Sequence, residues 1–513
     1  MSTEARPERA SVRLSPRTIA LYAVGSVGTG GYATLPGLVL TYFLTDHLGV
    51  AALAAGLIVT AAKIWDVVVD PLIGAASDRQ LARTGSRRGL MVTGALTLPV
   101  CFALTFAVPP SWGVIGGALC VLLAFLATAT AFSLFQVPYV ALPAELTGSY
   151  DERTRLLGWR VVVLTAAILL FGAGGPALRR AGADPVLGYL VMGVVAGVVI
   201  GVGMLIAART APSTGSGTQA GESGTQAGGS GTQAGGSGTQ AGGSGTQAGG
   251  SGTQAGGSGT QAGGSGTQAG GSGTQVDSGW RHQYLSGFRA LRRSQPFRAL
   301  LGTFLLQALA TGTMLAGAQY VATWVLRSED AVTLVFVALV GPALIATPVW
   351  TAIARRTGKE SAFRVASVLF AAAAATITIA VWAPGAWIYA SVAAAGVAYA
   401  GLQSLPMAML PDVISHDERR SGPGQAGTFT GIWTAGETVG FALGATAVAM
   451  TLAATGYIST VSGTTVAQPA AAVTGIVLSF SILPALLMAA SLATLGRYRL
   501  RRADIDDPTP ADA

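Results

Sequence analysis

The chain has 513 residues, of which 51% are hydrophobic and only 11% are charged, and its formal net charge is +8. About a quarter of the residues in an ordinary soluble domain are charged, so this composition excludes a typical soluble globular protein. It predicts a polytopic membrane protein, since one helix crosses a bilayer core with about 20 mostly apolar residues.

Twelve apolar windows of about that length follow one another along the chain. Their approximate centres are Pro36, Val59, Leu98, Leu122, Leu164, Val195, Leu309, Leu339, Ala373, Ala393, Ala442 and Ile482. We therefore predict an all-α integral membrane protein with twelve transmembrane helices.

The basic residues predict the orientation, because cytoplasmic loops are enriched in Lys and Arg. If the N-terminus is cytoplasmic, 27 of the 31 basic residues fall in cytoplasmic segments, and only Arg179, Arg180 and Arg327 fall on the other side, with Lys63 inside a helix. We expect both termini in the cytoplasm, no signal peptide, and a location in the inner (plasma) membrane. This topology accounts for the positive charge, so we expect no nucleic-acid partner.

The second predicted helix carries charges in the stretch KIWDVVVDP, which contains Lys63, Asp66 and Asp70. Positions four apart share a helix face, so the two carboxylates are neighbours. Each buried Asp costs about 2.5 to 3.5 kcal/mol at mid-membrane, which favours a function. Two carboxylates offer hard oxygen ligands to a small cation and also suit a proton carrier. The alternative is a Lys63–Asp66 ion pair that only locks the helices together.

The loop after the second helix reads ASDRQLARTGSRRGL. With a short insertion, it resembles the G-x-x-x-D-R-x-G-R-R signature of the major facilitator superfamily. The resemblance implies that Asp78, Arg79, Arg87 and Arg88 hold a cytoplasmic gate where two halves of the molecule meet. Solvated arginines that only set the topology are the alternative.

The heptapeptide SGTQAGG recurs from Ser216 to Gln275. Its composition predicts a disordered segment with a root-mean-square span of roughly 45 Å. It is no coiled coil, because no apolar residues occupy the a and d positions. A tolerated repeat expansion in a solvent loop is the simplest interpretation.

The chain on either side of this loop shows a weak internal repeat. The fourth helix ends in PYVALPAEL, from Pro138, and the tenth in PMAMLPDVI, from Pro406. Two parallel six-helix repeats joined by a long loop are the architecture of the major facilitator superfamily. We predict a cytoplasmic tail over 1–17, six-helix bundles over 18–208 and 298–497, a central cytoplasmic loop over 209–297, and a cytoplasmic tail over 498–513.

Three stretches, KIWDVVVDPLIG, VPYVALPAELTGSYDERTRLLGWR and PMAMLPDVISHDERRSG, resemble the glycoside-pentoside-hexuronide:cation symporter family. The resemblance implies that Asp66 and Asp70, next to Lys63, couple solute movement to a cation, with Ser133 offering a hydroxyl. Val69 stands where melibiose permease-type members have an amide. One cation ligand is therefore missing, which favours protons over sodium.

The same resemblance implies a substrate site that departs from the family pattern. Its positions are occupied here by Thr29, Gly30, Gln136, Val140, Arg160, Glu437 and Thr438. Carboxylates that would accept hydrogen bonds from sugar hydroxyls are lost, which favours a larger or more apolar solute. The alternatives are a membrane-interface role for Arg160 and a packing role for Glu437.

These observations predict a secondary active transporter of a small organic solute, driven by H+ or Na+, and not an enzyme. The expected partners are the substrate and the lipid bilayer, the expected state is a monomer, and no cofactor or metal is expected, since the two cysteines and three histidines show no metal-ligand spacing. A proton-coupled exporter of a lipid, drug or secondary metabolite is the alternative. A non-transporting scaffold or sensor is a remote one.

Deletion of Ser223 to Gly271 removes seven heptads and leaves enough chain to join two halves. We expect folding and transport to survive, because a segment of this composition buries almost no apolar surface. Expression and solute accumulation in cells measure this outcome. Loss of transport by a well-expressed deletion variant would reveal a role for the repeat.

Overall fold

In the computed structural model, residues 13–500 are described, except 148–149, 181, 183, 213–292, 422–425, 463 and 465. The central repeat therefore lies outside the described residues. Within the described part the chain is helical and forms no strand. An isolated antiparallel bridge between Leu48 and Val461 is its one recorded β contact.

The first half consists of seven helices. They are α1 (Pro16–Val24), α2 (Ser26–Asp46), α3 (Ala52–Thr84), α4 (Arg88–Phe106), α5 (Gly113–Leu146), α6 (Tyr150–Arg179) and α7 (Pro185–Ala208). The first span is split into α1 and α2 at Gly25, where a Cβ atom would come within 2.6 Å of Ala207 Cβ. The two pieces thus form one crossing, and this half has six.

The second half also has seven helices. They are α8 (Gln295–Tyr320), α9 (Ala331–Thr357), α10 (Lys359–Thr376), α11 (Ile388–Ser421), α12 (Ala426–Ala454), α13 (Ala470–Phe480) and α14 (Ile482–Leu495). A π turn over Val321–Val325 extends α8. The helices α13 and α14 are separated only by Ser481 and form the last span.

Eleven of the twelve spans are long and apolar enough to cross a membrane by composition alone. The remaining one, α2, is rich in Gly, Thr and Tyr, and 17 of its 21 residues are buried in the protein. A helix surrounded by other helices does not need the apolar exterior that a lipid-facing helix has. The structure confirms the predicted all-α fold with twelve transmembrane helices in two halves.

The two halves pack along three helix pairs, α3 with α12, α6 with α9, and α2 with α8. The first two pairs join the second span to the eleventh and the fifth to the eighth. In a six-helix repeat these pairs are counterparts of each other. We call the face where α1 begins and α14 ends the terminal face, and the other side of the bundle the opposite face.

Close backbone approach holds the C-terminal half together where α8 crosses α12. A Cβ atom on Gly444 would lie 2.5 Å from the carbonyl carbon of Gly312, and one on Gly312 would lie 2.8 Å from the Phe441 carbonyl oxygen. Such distances leave no room for any side chain. The small residues therefore fix the separation of these two helices.

We expect Gly444→Ala to lower the midpoint of thermal unfolding by several degrees, because α12 must shift away from α8. Gly302→Ala is the matched control, since its new methyl group would meet only Thr494 Cγ2 at 3.9 Å and Ala favours a helix by about 1 kcal/mol over Gly. Thermal unfolding of both variants in detergent tests this packing. Equal midpoints would contradict it.

Candidate functional site

Asp66 and Asp70 lie inside the N-terminal half, on the face of α3 that meets α2 and α5. Lys63 Nζ lies 3.2 Å from Asp66 Oδ2 and 4.6 Å from the centre of the Tyr32 ring. The Tyr32 ring stacks on Phe132 of α5, with 4.0 Å between ring centres. The lysine is therefore held by one carboxylate and one aromatic face.

Each of the two carboxylates keeps one oxygen without a hydrogen-bond partner in the described structure. These atoms are Asp66 Oδ1 and Asp70 Oδ1, and the buried Tyr32 hydroxyl also lacks a partner. The Ser133 side chain lies within reach of Asp70, while Val69 supplies no oxygen. The site thus gathers oxygen atoms that could hold a proton or a small cation.

Two of the residues expected on the substrate side contact each other one turn nearer the terminal face, and a third, Arg160, lies beside Tyr139. The Thr29 hydroxyl donates to Gln136 Oε1 at 2.8 Å, and Gln136 Nε2 has no recorded partner. The Arg160 guanidinium lies 5.4 Å from the centre of the Tyr139 ring. Arg160 is buried, and its Nε atom is also without a recorded partner.

Gly30 and Val140 lie close to these groups but act in packing. A Cβ atom on Gly30 would lie 2.8 Å from Ala167 Cβ, so glycine permits the contact between α2 and α6. Val140 is half-buried against the apolar core. Neither position offers a polar side chain to a solute.

A cavity lies between the two halves and is lined by residues of both. Its polar lining consists of Thr34, Thr165, Thr311, Thr347, Tyr399 and Gln403. The other lining side chains are aliphatic or aromatic, and most belong to the C-terminal half. None of the seven residues expected on the substrate side lies in this lining.

Glu437 and Thr438 lie on α12, in the C-terminal half. Glu437 is buried, whereas Thr438 is half-buried. The Glu437 carboxylate interacts electrostatically with Tyr399, whose ring lines the cavity. Glu437 thus lies beside the cavity lining and belongs to the other half of the molecule from the Thr29–Gln136 pair.

The loop between α3 and α4 forms a charge cluster around Arg87 at the terminal face. Arg87 contacts Glu145 at 2.5 Å and Asp78 at 2.7 Å, and it donates to Ser77 at 2.7 Å. Burial alone would lower the pKa of Arg87, but the hydrogen bonds to Glu145 and Asp78 outweigh it and raise that pKa. All these residues belong to the N-terminal half.

The other two residues of the expected gate play different parts. Arg79 donates from Nε to the carbonyl oxygen of Ala75 in its own helix, and Arg88 is exposed at the start of α4. The structure thus brings Asp78 and Arg87 together. A gating role for the four residues stays a prediction.

The halves are joined by polar contacts at the opposite face, and sequence reasoning missed them. Tyr457 donates to Asp46 Oδ1 at 2.5 Å, and the Thr45 and Tyr320 hydroxyls lie 2.7 Å apart. The backbone N–H of Thr460 donates to the Thr45 carbonyl oxygen at 2.9 Å. We call the contacts of residues 45–48 with Tyr320 and residues 457–462 the opposite-face seam.

Ion pairs extend the closure between α6 and the loop before α9. Arg179 Nη2 lies 2.6 Å from Glu329, and Arg180 pairs with Asp330. A signal for these pairs existed in the sequence, because Arg179 and Arg180 are two of only three basic residues expected on that side.

No group of three His, Cys, Asp or Glu side chains that could hold a metal ion occurs in the described part of the chain.

Comparison with known proteins gives one family and several relatives. The model of the family described as MFS/sugar transport protein matches residues 21–229 and 275–502. The uncharacterized symporter sll1374 of Synechocystis sp. is 26% identical over 535 residues, which covers 94% of each chain. The putative glycoside/cation symporter YagG of Escherichia coli is 28% identical over 148 residues, or 29% of this chain and 32% of YagG.

A solved structure supports the fold. A structure from work on substrate recognition in proton dependent oligopeptide transporters superposes with a TM-score of 0.58, over 94% of this chain and 97% of the other, at 12% sequence identity. At this identity the likeness concerns the fold alone.

We expect Glu145→Gln to lower the midpoint of thermal unfolding more than Asp78→Asn. The Glu145 side chain is 20% exposed and that of Asp78 is 69% exposed, and an exposed pair contributes only about 0 to 1 kcal/mol. Unfolding curves of the two variants in detergent give the comparison. An equal or larger loss for Asp78→Asn would contradict the larger contribution to stability that we assign to the Arg87–Glu145 ion pair.

Proposed function

The chain belongs to the MFS/sugar transport protein family of secondary active transporters, and we propose that protons bound at Asp66 and Asp70 drive its transport of a small organic solute. The family is a class of transporters rather than enzymes. The observation that carries the proposal is the pair of partnerless carboxylate oxygens, Asp66 Oδ1 and Asp70 Oδ1, on one face of a membrane-spanning helix.

The choice of protons over sodium is supported by the ligands around the two carboxylates. A hard metal cation binds several oxygen atoms at once. Here the hydroxyls of Ser133 and Tyr32 are neutral oxygens beside the pair, and Val69 adds none. A proton needs only one oxygen. Two nearby carboxylates bind a proton readily, because the proton removes the repulsion between their negative charges.

Alternating access is supported by the unequal faces of the molecule. The polar contacts described between the halves lie at the opposite face, whereas Arg87 at the terminal face pairs within its own half. The excess of basic residues in the loops of the terminal face is typical of the cytoplasmic side. We infer that both termini are cytoplasmic and that the structure is closed toward the outside.

The remaining assignments extend from this topology. We infer that the protein lies in the inner (plasma) membrane and works as a monomer, since each half supplies one part of the site and no second chain is needed. The coupling groups belong to the N-terminal half and most of the cavity to the C-terminal half. Movement of one half against the other would then link the two events.

The substrate is proposed to be a glycoside or a more amphipathic solute. A glycoside is supported by the name of the relative YagG. An amphipathic solute is supported by the cavity, whose apolar wall includes Phe336, Leu339 and Phe370. The apolar wall also suits a lipid, a drug or a secondary metabolite, so a proton-coupled exporter of such a solute is the second candidate. Export would use the same two carboxylates with the opposite direction of coupling.

We expect Asp66→Asn and Asp70→Asn each to abolish gradient-driven solute accumulation, while passive exchange of the solute is partly retained. The effects should not add in the double variant, because each substitution removes the same coupled event. Accumulation and exchange in proteoliposomes are the measurements, with a pH gradient imposed in one set and a sodium gradient in the other.

Asp184→Asn serves as the matched control, because Asp184 is an exposed N-cap of α7 and Asn caps a helix equally well.

Lys63→Ala should lower expression or shift the pH optimum of transport rather than abolish coupling, since it leaves the Asp66 carboxylate without its ion-pair partner. Full accumulation by the double Asp variant would refute the coupling role. Sodium-stimulated uptake at clamped pH and voltage would overturn the choice of protons.

A further inference from the structure

Glu437 is a buried carboxylate that the coupling machinery does not use. Only 8% of the residue is exposed. Among the residues that the structure describes, none forms a hydrogen bond or an ion pair with it. A buried charge without a partner is costly and is rarely kept without a function.

The position of Glu437 places it beside the cavity between the halves. Phe441, one turn further along α12, lines this cavity, and helix positions four apart share a face. Tyr399 of α11 also lines it and interacts electrostatically with Glu437. Gln403 donates from Nε2 to the Tyr399 hydroxyl at 2.7 Å. Glu437 therefore adjoins the polar part of the lining, toward the terminal face.

The rest of the lining limits the chemistry of the solute. None of the eighteen described residues that line the cavity is basic, so an anionic group would find no charge partner there. The apolar wall of α9 and α10, with Phe336, Val340 and Phe370, suits a hydrocarbon or aromatic portion. The lining thus combines an apolar region with one carboxyl group at its edge that has no basic partner among the lining residues.

We propose that the cavity binds an amphipathic organic cation, whose ammonium group pairs with Glu437 and whose apolar portion lies against α9 and α10. This inference rests on the proposed function, because it takes this cavity as the solute site. It adds the charge of the solute, which neither the family nor the coupling pair specifies. Tyr399 and Gln403 are the polar neighbours that would position the ammonium group.

The test uses three small probes that differ only in the polar end, namely 4-phenylbutylamine, 4-phenylbutan-1-ol and 4-phenylbutyrate. Binding to the purified full chain in detergent at pH 7, without any gradient, is followed by the change in tryptophan fluorescence. Trp433 lies one turn before Glu437 and is buried, so it reports on this region. We expect the amine to bind about 30-fold more tightly than the alcohol, and the carboxylate to bind most weakly.

In Glu437→Gln the affinity for the amine should fall to that for the alcohol, while the affinity for the alcohol stays unchanged. Glu437→Asp should retain part of the preference. Glu360→Gln is the matched control and should behave as wild type, because Glu360 pairs with Arg364 at the start of α10.

Equal affinities of the wild-type chain for the amine and the alcohol would overturn the proposal, whether or not the variants fold. If Glu437→Gln still bound the amine more tightly than the alcohol, the proposal would be overturned as well. Loss of proton-driven transport in that same variant would then identify Glu437 as a proton carrier. Failure of the proposed function appears elsewhere, in transport by the Asp66 and Asp70 variants, because binding here is measured without a gradient.

Discussion

The hydrocarbon interior of a bilayer offers no water to a charged group, and the arrangement of this protein depends on that constraint. Each charge placed inside a helix must be accommodated by other parts of the protein. Lys63 illustrates the solution, because one carboxylate and the Tyr32 ring replace its hydration shell. Asp70 and Glu437 are only partly accommodated in this way. The groups without partners inside the bundle are therefore the candidates for binding ions and solutes. Asp66 combines both situations, because one of its oxygens pairs with Lys63 and the other has no partner.

The two halves share a repeat but carry different chemistry. The N-terminal half holds the carboxylate pair and the Thr29–Gln136 contact within its own helix bundle. The C-terminal half contributes most of the cavity wall and the isolated Glu437. Most of the cavity wall and the carboxylate pair of α3 thus belong to different halves. In the function proposed above, coupling would pass through the helix pairs that join the halves, α3 with α12, α6 with α9 and α2 with α8.

Local patterns predicted much of this structure. Apolar windows identified the spans, helical spacing put Asp66 beside Asp70, and motif resemblance selected Thr29 and Gln136, which the fold brings into contact. Patterns of this kind report on neighbours within one helix or on family positions. They could not reveal that Tyr457 contacts Asp46, since 411 residues separate the two, nor that Gly30 serves helix packing. The cavity lining was also out of reach, because it is assembled from seven helices whose relative rotations no local pattern encodes.

The opposite-face seam contains backbone hydrogen bonds, from Thr460 to Thr45 and from Ser462 to His47. Main-chain atoms are the same whatever side chain a residue carries, so this part of the closure tolerates amino-acid replacement as long as the backbone path is kept. Replacement of cavity residues would then leave the closure at the opposite face intact. Transporters with this fold could therefore acquire new substrates with little risk that ions leak through the protein and dissipate the gradient.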